Sequence, residues 1–207
     1  NIQRGQFLDG QALTFENSVR AVALQIDLAS NAESVAERID FDNTSSPFSV
    51  DFSPLGDYAF VSSQGNNELE VVDAFTGVHL FRIPVGTAPQ GMAVDSTINR
   101  IFVKNFMDRT VSAIDMNAFF EKGDFNVAPV SISTVATESL AAPVLQGKQI
   151  FYNSVDPRMS MDSYISCAAC HLDGGHDGRT WDFTDRGEGL RNTTNLRGRS
   201  GIGHGNV

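Results

Sequence analysis

An internal repeat of 42 residues constrains the fold of this 207-residue chain more than any other feature. Val61 matches Val103 and Asp73 matches Asp115 at this one common offset. Each copy contains short runs of β-branched and aromatic residues separated by turn-forming residues, a pattern typical of strands. Four such runs in each copy predict one four-stranded antiparallel sheet per repeat. The side chains expected in the core are those of Phe60, Val72, Phe102 and Ile114.

The repeated segments are also similar to a known family. Residues 53–61 (SPLGDYAFV), followed by 71–73 (VVD) and 83–89 (IPVGTAP), resemble the YVTN repeats of β-propellers. The resemblance covers roughly residues 40–118 and implies that each repeat is a propeller blade. An ordinary antiparallel sandwich is the alternative fold. Since propellers close with about four to eight blades, we expect the chain to be a piece of a longer polypeptide, or another chain to supply the missing blades.

The second constraint is the segment 167–171 (CAACH). Two cysteines separated by two residues and followed at once by histidine are the attachment signature of c-type haem. In this chemistry each thiol forms a thioether with the porphyrin, and the histidine binds the iron. The pattern therefore predicts one covalent haem c, held by Cys167, Cys170 and His171.

Two other uses of the cysteines remain open. A redox-active dithiol would use Cys167 and Cys170 without any need for the adjacent histidine. A zinc site would need further ligands beyond this motif. The other histidines of the chain are His79, His176 and His204.

The residues around and after this motif carry a second resemblance. The segments 189–198 (GLRNTTNLRG) and 203–205 (GHG), together with the haem motif, are similar to the di-haem cytochrome c peroxidase and MauG-like group, especially members fused to a YVTN-type propeller. The match covers about residues 145–207 and implies a mainly α-helical cytochrome c-like domain. The second haem motif and the acidic catalytic residues of the peroxidases have no counterpart in this sequence.

Candidate haem contacts follow from this resemblance and from residue chemistry. His204 is the preferred sixth iron ligand, ahead of His176, Met159 and Met161, and a ligand beyond residue 207 stays open. Arg191 is expected to bind a haem propionate, although a solvated surface position is the ordinary alternative. Trp181, the single tryptophan, is expected to pack against the haem, as an electron path or simply as part of the pocket wall.

These observations predict a multidomain β + α fold with three parts. Partial β-propeller blades occupy residues 1–118, a linker occupies 119–143, and a mainly α-helical c-type cytochrome domain occupies 144–207. The last of these parts is expected to be truncated.

Charge and hydropathy limit the partners and the compartment. Twenty-five acidic residues against fifteen basic ones give a net charge of −10, which disfavours binding to nucleic acid or to an anionic membrane surface. No apolar run approaches the roughly 18 residues of a membrane span. Since c-type haem is attached outside the bacterial cytoplasm, we expect a periplasmic or extracellular protein with a redox protein partner.

Electron transfer through one haem is therefore the expected function. The alternative is a peroxidase- or MauG-like oxidoreductase whose second haem or catalytic residues lie outside this chain. The sequence leaves open whether the protein is an enzyme, and a binding role for the repeats is a third reading. No hydrolase or phosphate-binding motif is present.

Overall fold

The computed structural model of the chain describes residues 20–184 and 187–198. These residues belong to two compact units. Ala21–Ser166 form the first unit, and the described residues from Cys167 onwards belong to the second. The predicted three-part division at residues 118 and 143 stays a prediction.

Two four-stranded antiparallel sheets dominate the first unit, one for each copy of the repeat. Their strands follow one another in chain order, so each sheet is a simple meander. Sheet 1 consists of β5 (Pro47–Phe52), β6 (Tyr58–Ser63), β7 (Glu68–Asp73) and β8 (His79–Pro84). Sheet 2 consists of β9 (Pro89–Asp95), β10 (Arg100–Asn105), β11 (Thr110–Asp115) and β12 (Pro129–Ser133).

The core lies between these two sheets. Because side chains alternate across a strand, each sheet has two faces, which we call the front face and the back face. The front face of sheet 1 carries Phe60, Leu69, Val71 and Ile83, all fully buried. They pack in one cluster with the back face of sheet 2, which carries Ile101, Val103 and Ile114.

The back face of sheet 1 packs against shorter strands. Its Val61 and Val72 share a second cluster with Ala21 and Phe41. These partners belong to a two-stranded sheet of β1 (Ala21–Ala23) and β4 (Ile39–Phe41). The connection between them contains the small hairpin of β2 (Ile26–Asp27) and β3 (Ala32–Glu33).

The expected core residues Phe60, Val72 and Ile114 are buried, whereas Phe102 is only partly buried. Phe102 pairs with Ala113 on the front face of sheet 2, and that face has no further sheet of the described chain packed against it. The burial of Phe102 therefore depends on whether another element packs against this face, and not on strand alternation alone.

The prediction of a mainly α-helical cytochrome domain after the blades is wrong. The α-helices among the described residues are α1 (Asn117–Lys122), α2 (Ala142–Tyr152) and α3 (Cys167–Cys170). Beyond α3 the chain forms a hairpin of β13 (Thr180–Phe183) and β14 (Gly189–Asn192). No helix among the described residues is long and apolar enough to cross a membrane.

The local sequence explains why helix does not continue after α3. Asp173, Gly174 and Gly178 adopt positive φ angles of 50°, 74° and 71°. Residues in this left-handed region end a helix, and glycine adopts it without steric cost. The β-branched and aromatic residues Thr180 and Trp181 then favour a strand.

Candidate functional site

The motif Cys167–His171 forms a single helical turn. The backbone N–H of His171 donates a hydrogen bond to the carbonyl oxygen of Cys167, 3.0 Å away. Residues three and four positions apart share one helix face, so both thiols and the imidazole lie on the same side of the turn. Cys167 and Cys170 are free, half-buried thiols, and Ala168 between them is buried.

The imidazole of His171 is oriented by the backbone. Its Nδ1 lies 3.2 Å from the carbonyl oxygen of Gly175. A carbonyl oxygen only accepts hydrogen bonds, so Nδ1 carries the proton and donates it. In the neutral imidazole Nε2 is then the unprotonated nitrogen, with a lone pair available for a metal. A backbone carbonyl in this role is a common way to fix the tautomer of a metal-binding histidine.

The loop that supplies this carbonyl is held in place by tight turns. The N–H of Gly174 donates to the carbonyl of His171 and the N–H of Gly175 to that of Leu172, both at 2.8 Å. Gly175 is buried, and a Cβ at this position would lie 3.1 Å from the carbonyl oxygen of Leu172. A larger residue at position 175 would therefore displace the carbonyl that orients His171.

Two later residues, Leu196 and Arg197, hold the same loop through hydrogen bonds. The N–H of Leu196 donates to the carbonyl oxygen of Gly174 at 2.9 Å. The Nε of Arg197 donates to the carbonyl oxygen of Asp173 at 3.0 Å. Neither contact has a local sequence signal, because each depends on where a distant segment meets the loop.

Asp177 provides a negative charge that acts on Cys170. Burial raises its pKa, but hydrogen bonds from Thr193, from the backbone of Arg179 and from Trp181 outweigh that effect, so the pKa of this carboxyl is lowered. Burial, followed by the charge of Asp177 and the neighbouring Cys167, raises the pKa of Cys170 to about 11. Cys170 is consequently a neutral thiol at physiological pH.

The structure brings Trp181 and Arg191 together on the hairpin, where they pair directly across β13 and β14. The indole Nε1–H of Trp181 donates to Asp177 Oδ2 at 2.9 Å and to Thr193 Oγ1 at 3.0 Å. Arg191 is exposed, with its Nε 3.8 Å from Glu188 Oε2. Trp181 thus connects the hairpin to the carboxylate that influences Cys170.

The remaining ligand candidates are arranged as follows. His204 lies outside the described residues. His176 is exposed, and its Nδ1 accepts a hydrogen bond from the N–H of Gly178 at 3.0 Å. Met159 and Met161 lie in the first unit and are exposed. Within residues 20–184 and 187–198, no group of three or more His, Cys, Asp or Glu side chains is placed to hold a metal ion.

The donor set of the motif fits covalent haem attachment. It offers two thiols on one face of a helical turn and one imidazole nitrogen whose tautomer suits iron. Haem brings four nitrogen ligands of its own, so a cluster of protein ligands is not a requirement for this group.

Comparisons with known proteins assign no family. No protein-family model matches the chain, and no curated protein matches it. Among solved structures, hydrazine synthase of Kuenenia stuttgartiensis is similar at 25% sequence identity and a TM-score of 0.36, over 42% of this chain and 23% of that chain. The match thus spans less than a quarter of that protein, and a TM-score at this level carries no argument about fold or function. The resemblances to YVTN repeats and to the di-haem peroxidase group stay predictions.

Proposed function

We propose that this chain carries one covalent haem c on Cys167 and Cys170, with Nε2 of His171 on the iron, and that it transfers electrons outside the cytoplasm. The hydrogen bond from His171 Nδ1 to the carbonyl of Gly175 is the observation that carries this proposal. It gives the histidine of an attachment motif the tautomer that iron ligation requires.

Each part of the site has a defined task in this function. When bound, the haem supplies a one-electron redox centre. The two cysteines fix its position covalently, and His171 sets the iron environment from one side. Gly175 keeps the imidazole orientation constant, and the contacts of Leu196 and Arg197 hold the loop that carries Gly175. A fixed ligand geometry favours fast electron transfer, because few atoms around the iron need to move when the charge of the iron changes.

The competing dithiol function would leave His171 without a role. A thiol–disulfide oxidoreductase attacks with the thiolate of one cysteine of its pair. Burial and Asp177 raise the pKa of Cys170 to about 11, so Cys170 would not be the attacking thiol.

An absorption spectrum tests the proposal directly. The chain would be produced in a bacterial periplasm together with a cytochrome c maturation system, beside the matched variants Cys167→Ser, Cys170→Ser and the double variant. We expect a low-spin reduced spectrum that does not change with carbon monoxide, and a colourless double variant. A high-spin iron that binds carbon monoxide and reacts with peroxide would favour the peroxidase- or MauG-like alternative. A colourless wild-type chain would refute haem attachment.

A further inference from the structure

The turn between β10 and β11 carries an aromatic ring, that of Phe106, with three positive charges around it. The Nζ atoms of Lys104 and Lys148 lie 5.6 and 5.4 Å from the ring centroid. The guanidinium carbon of Arg109 lies 5.7 Å from the same centroid. An aromatic ring attracts cations over its face within about 6 Å. We call Lys104, Arg109 and Lys148, together with Phe106, the basic cluster.

The fold fixes the position of this ring and brings two separate elements to it. Lys104 belongs to β10, whereas Lys148 belongs to α2. The Phe106 ring meets the ring of the buried Tyr152 of α2 edge-on, with the two centroids 5.8 Å apart. The backbone N–H of Phe106 donates a hydrogen bond to the carbonyl oxygen of Ala88 at 3.1 Å. The two lysines therefore act on the same region of the surface because of tertiary packing.

Only part of the positive charge of the basic cluster is balanced within the described chain. The Nε of Arg109 lies 3.4 Å from Oε2 of Glu138. Among the described residues, no carboxylate forms an ion pair with Lys104 or Lys148. The carboxylate of Asp108, in the same turn, accepts a hydrogen bond from a backbone N–H of the preceding loop at 2.5 Å. The two ammonium groups thus remain without a countercharge there.

The composition of the chain makes this arrangement unusual. The sequence contains only three lysines, Lys104, Lys122 and Lys148, against 25 acidic residues. Two of the three meet at one ring, and neither β10 nor α2 contains an acidic residue. Since like charges repel each other, bringing two ammonium groups together without a countercharge costs stability. A countercharge from another molecule would remove this cost.

The surface at the basic cluster fits a protein partner. Lys104 is exposed and Lys148 is half-buried. Val144 lies one turn before Lys148 on the same face of α2 and is 52% exposed. Apolar contacts beside charged groups are typical of protein interfaces, and a lysine ammonium donates charge-assisted hydrogen bonds to carboxylates. Nucleic acid or an anionic membrane fits less well, because either would bring extended negative charge against a chain of net charge −10.

We infer that the basic cluster is a docking site for a carboxylate-rich surface of a partner protein. Lys104 and Lys148 supply the charges that bind the partner's carboxylates, and Phe106 orients both ammonium groups. Docking at this site does not require haem. In combination with the proposed electron transfer, it assigns an acidic surface to the redox partner.

Fluorescence anisotropy of a fluorescein-labelled octaglutamate peptide tests the inference with the full matured chain at low ionic strength. We expect Lys104→Gln and Lys148→Gln each to weaken binding by at least about threefold, and the double variant by at least about tenfold. Lys148→Arg keeps the charge and should retain binding. Binding should disappear at about 1 M salt, where the Debye length is about 3 Å. No measurable binding by the wild-type chain would overturn the inference.

Lys122→Gln is the matched control, because it removes the same charge from α1, outside the basic cluster. It should change binding by less than about 1.5-fold. A loss as large as that of Lys148→Gln would overturn the inference, since net charge alone would then explain binding. Carbodiimide should cross-link the peptide to Lys104 or Lys148, and cross-links to Lys122 alone would likewise contradict docking at the cluster.

Two further measurements separate the ligand and the role of haem. Inorganic phosphate and phosphatidylglycerol vesicles replace the peptide, and binding of either through the two lysines without binding of the peptide would overturn the inference. Peptide binding is also measured in the Cys167→Ser/Cys170→Ser chain. We expect the same affinity there, so that docking and haem attachment succeed or fail separately.

Discussion

Gly65→Ala is expected to destabilise the first unit strongly for so small a change. A Cβ at Gly65 would lie 2.6 Å from the Cβ of Ser45 and 2.9 Å from Oγ of Ser154. Both serines are buried. Ser154 donates its N–H to the carbonyl of Gly65 at 2.8 Å, and Gly65 donates its own to the carbonyl of Ser45 at 3.1 Å. The backbone must therefore move by roughly 1 Å to make room, because the Cβ of Ser45 cannot rotate away.

Overpacking of this kind costs about 1–3 kcal/mol of unfolding free energy. With a denaturant slope of about 2 kcal/mol per molar, the urea midpoint should fall by about 0.5–1.5 M. The strain should also reach the end of the first unit, since Oγ of Ser45 accepts a hydrogen bond from the N–H of Ser166.

Urea unfolding followed by far-UV circular dichroism measures this change. Gly91→Ala is the matched control, because no atom lies within 4 Å of a Cβ at that position. Gly91 has no positive φ, so alanine there should be neutral or stabilise the fold by up to about 1 kcal/mol. A Gly65→Ala chain as stable as the Gly91→Ala chain would refute the packing described here.

Three further predictions concern the core, the hairpin and the cysteine site. Ile83 is fully buried, and Ile83→Ala should lower the unfolding free energy by about 2–5 kcal/mol in a urea titration. Ile132 is half exposed, and Ile132→Ala should lower it by less than about 1 kcal/mol. Equal losses would contradict this difference in burial. Trp181→Phe removes two hydrogen bonds and should increase hydrogen exchange in β13 and β14 while leaving sheet 1 unchanged. In the haem-free chain, iodoacetamide should alkylate Cys170 increasingly as the pH rises towards about 11. Asp177→Asn should shift that profile to lower pH, because it removes a negative charge that disfavours the thiolate, and an unshifted profile would argue against this interaction.

The sequence predicted the repeated part of the fold well, because a repeat encodes one local structure twice. Strand alternation correctly placed Phe60, Val72 and Ile114 in the core. Strand alternation wrongly predicted that Phe102 is buried. The burial of a sheet face depends on which element packs against it, and the repeat alone does not say which element that is.

The helical cytochrome domain was predicted from a resemblance, but the residues directly after the motif favour a turn and then strands. Asp173 and Gly174, with positive φ, end the helical turn directly after the motif. The motif itself was visible in the sequence. The carbonyl of Gly175 and the contact of Arg197 were not, because both depend on how a loop and a distant segment meet.

Denaturing mass spectrometry of the matured protein tests the central claim most directly. The account predicts that the chain keeps the mass of one haem after complete unfolding. It also predicts that this mass maps to the peptide containing Cys167 and Cys170. A chain without added mass, with the two sulfurs joined to each other or bound to zinc, would contradict it.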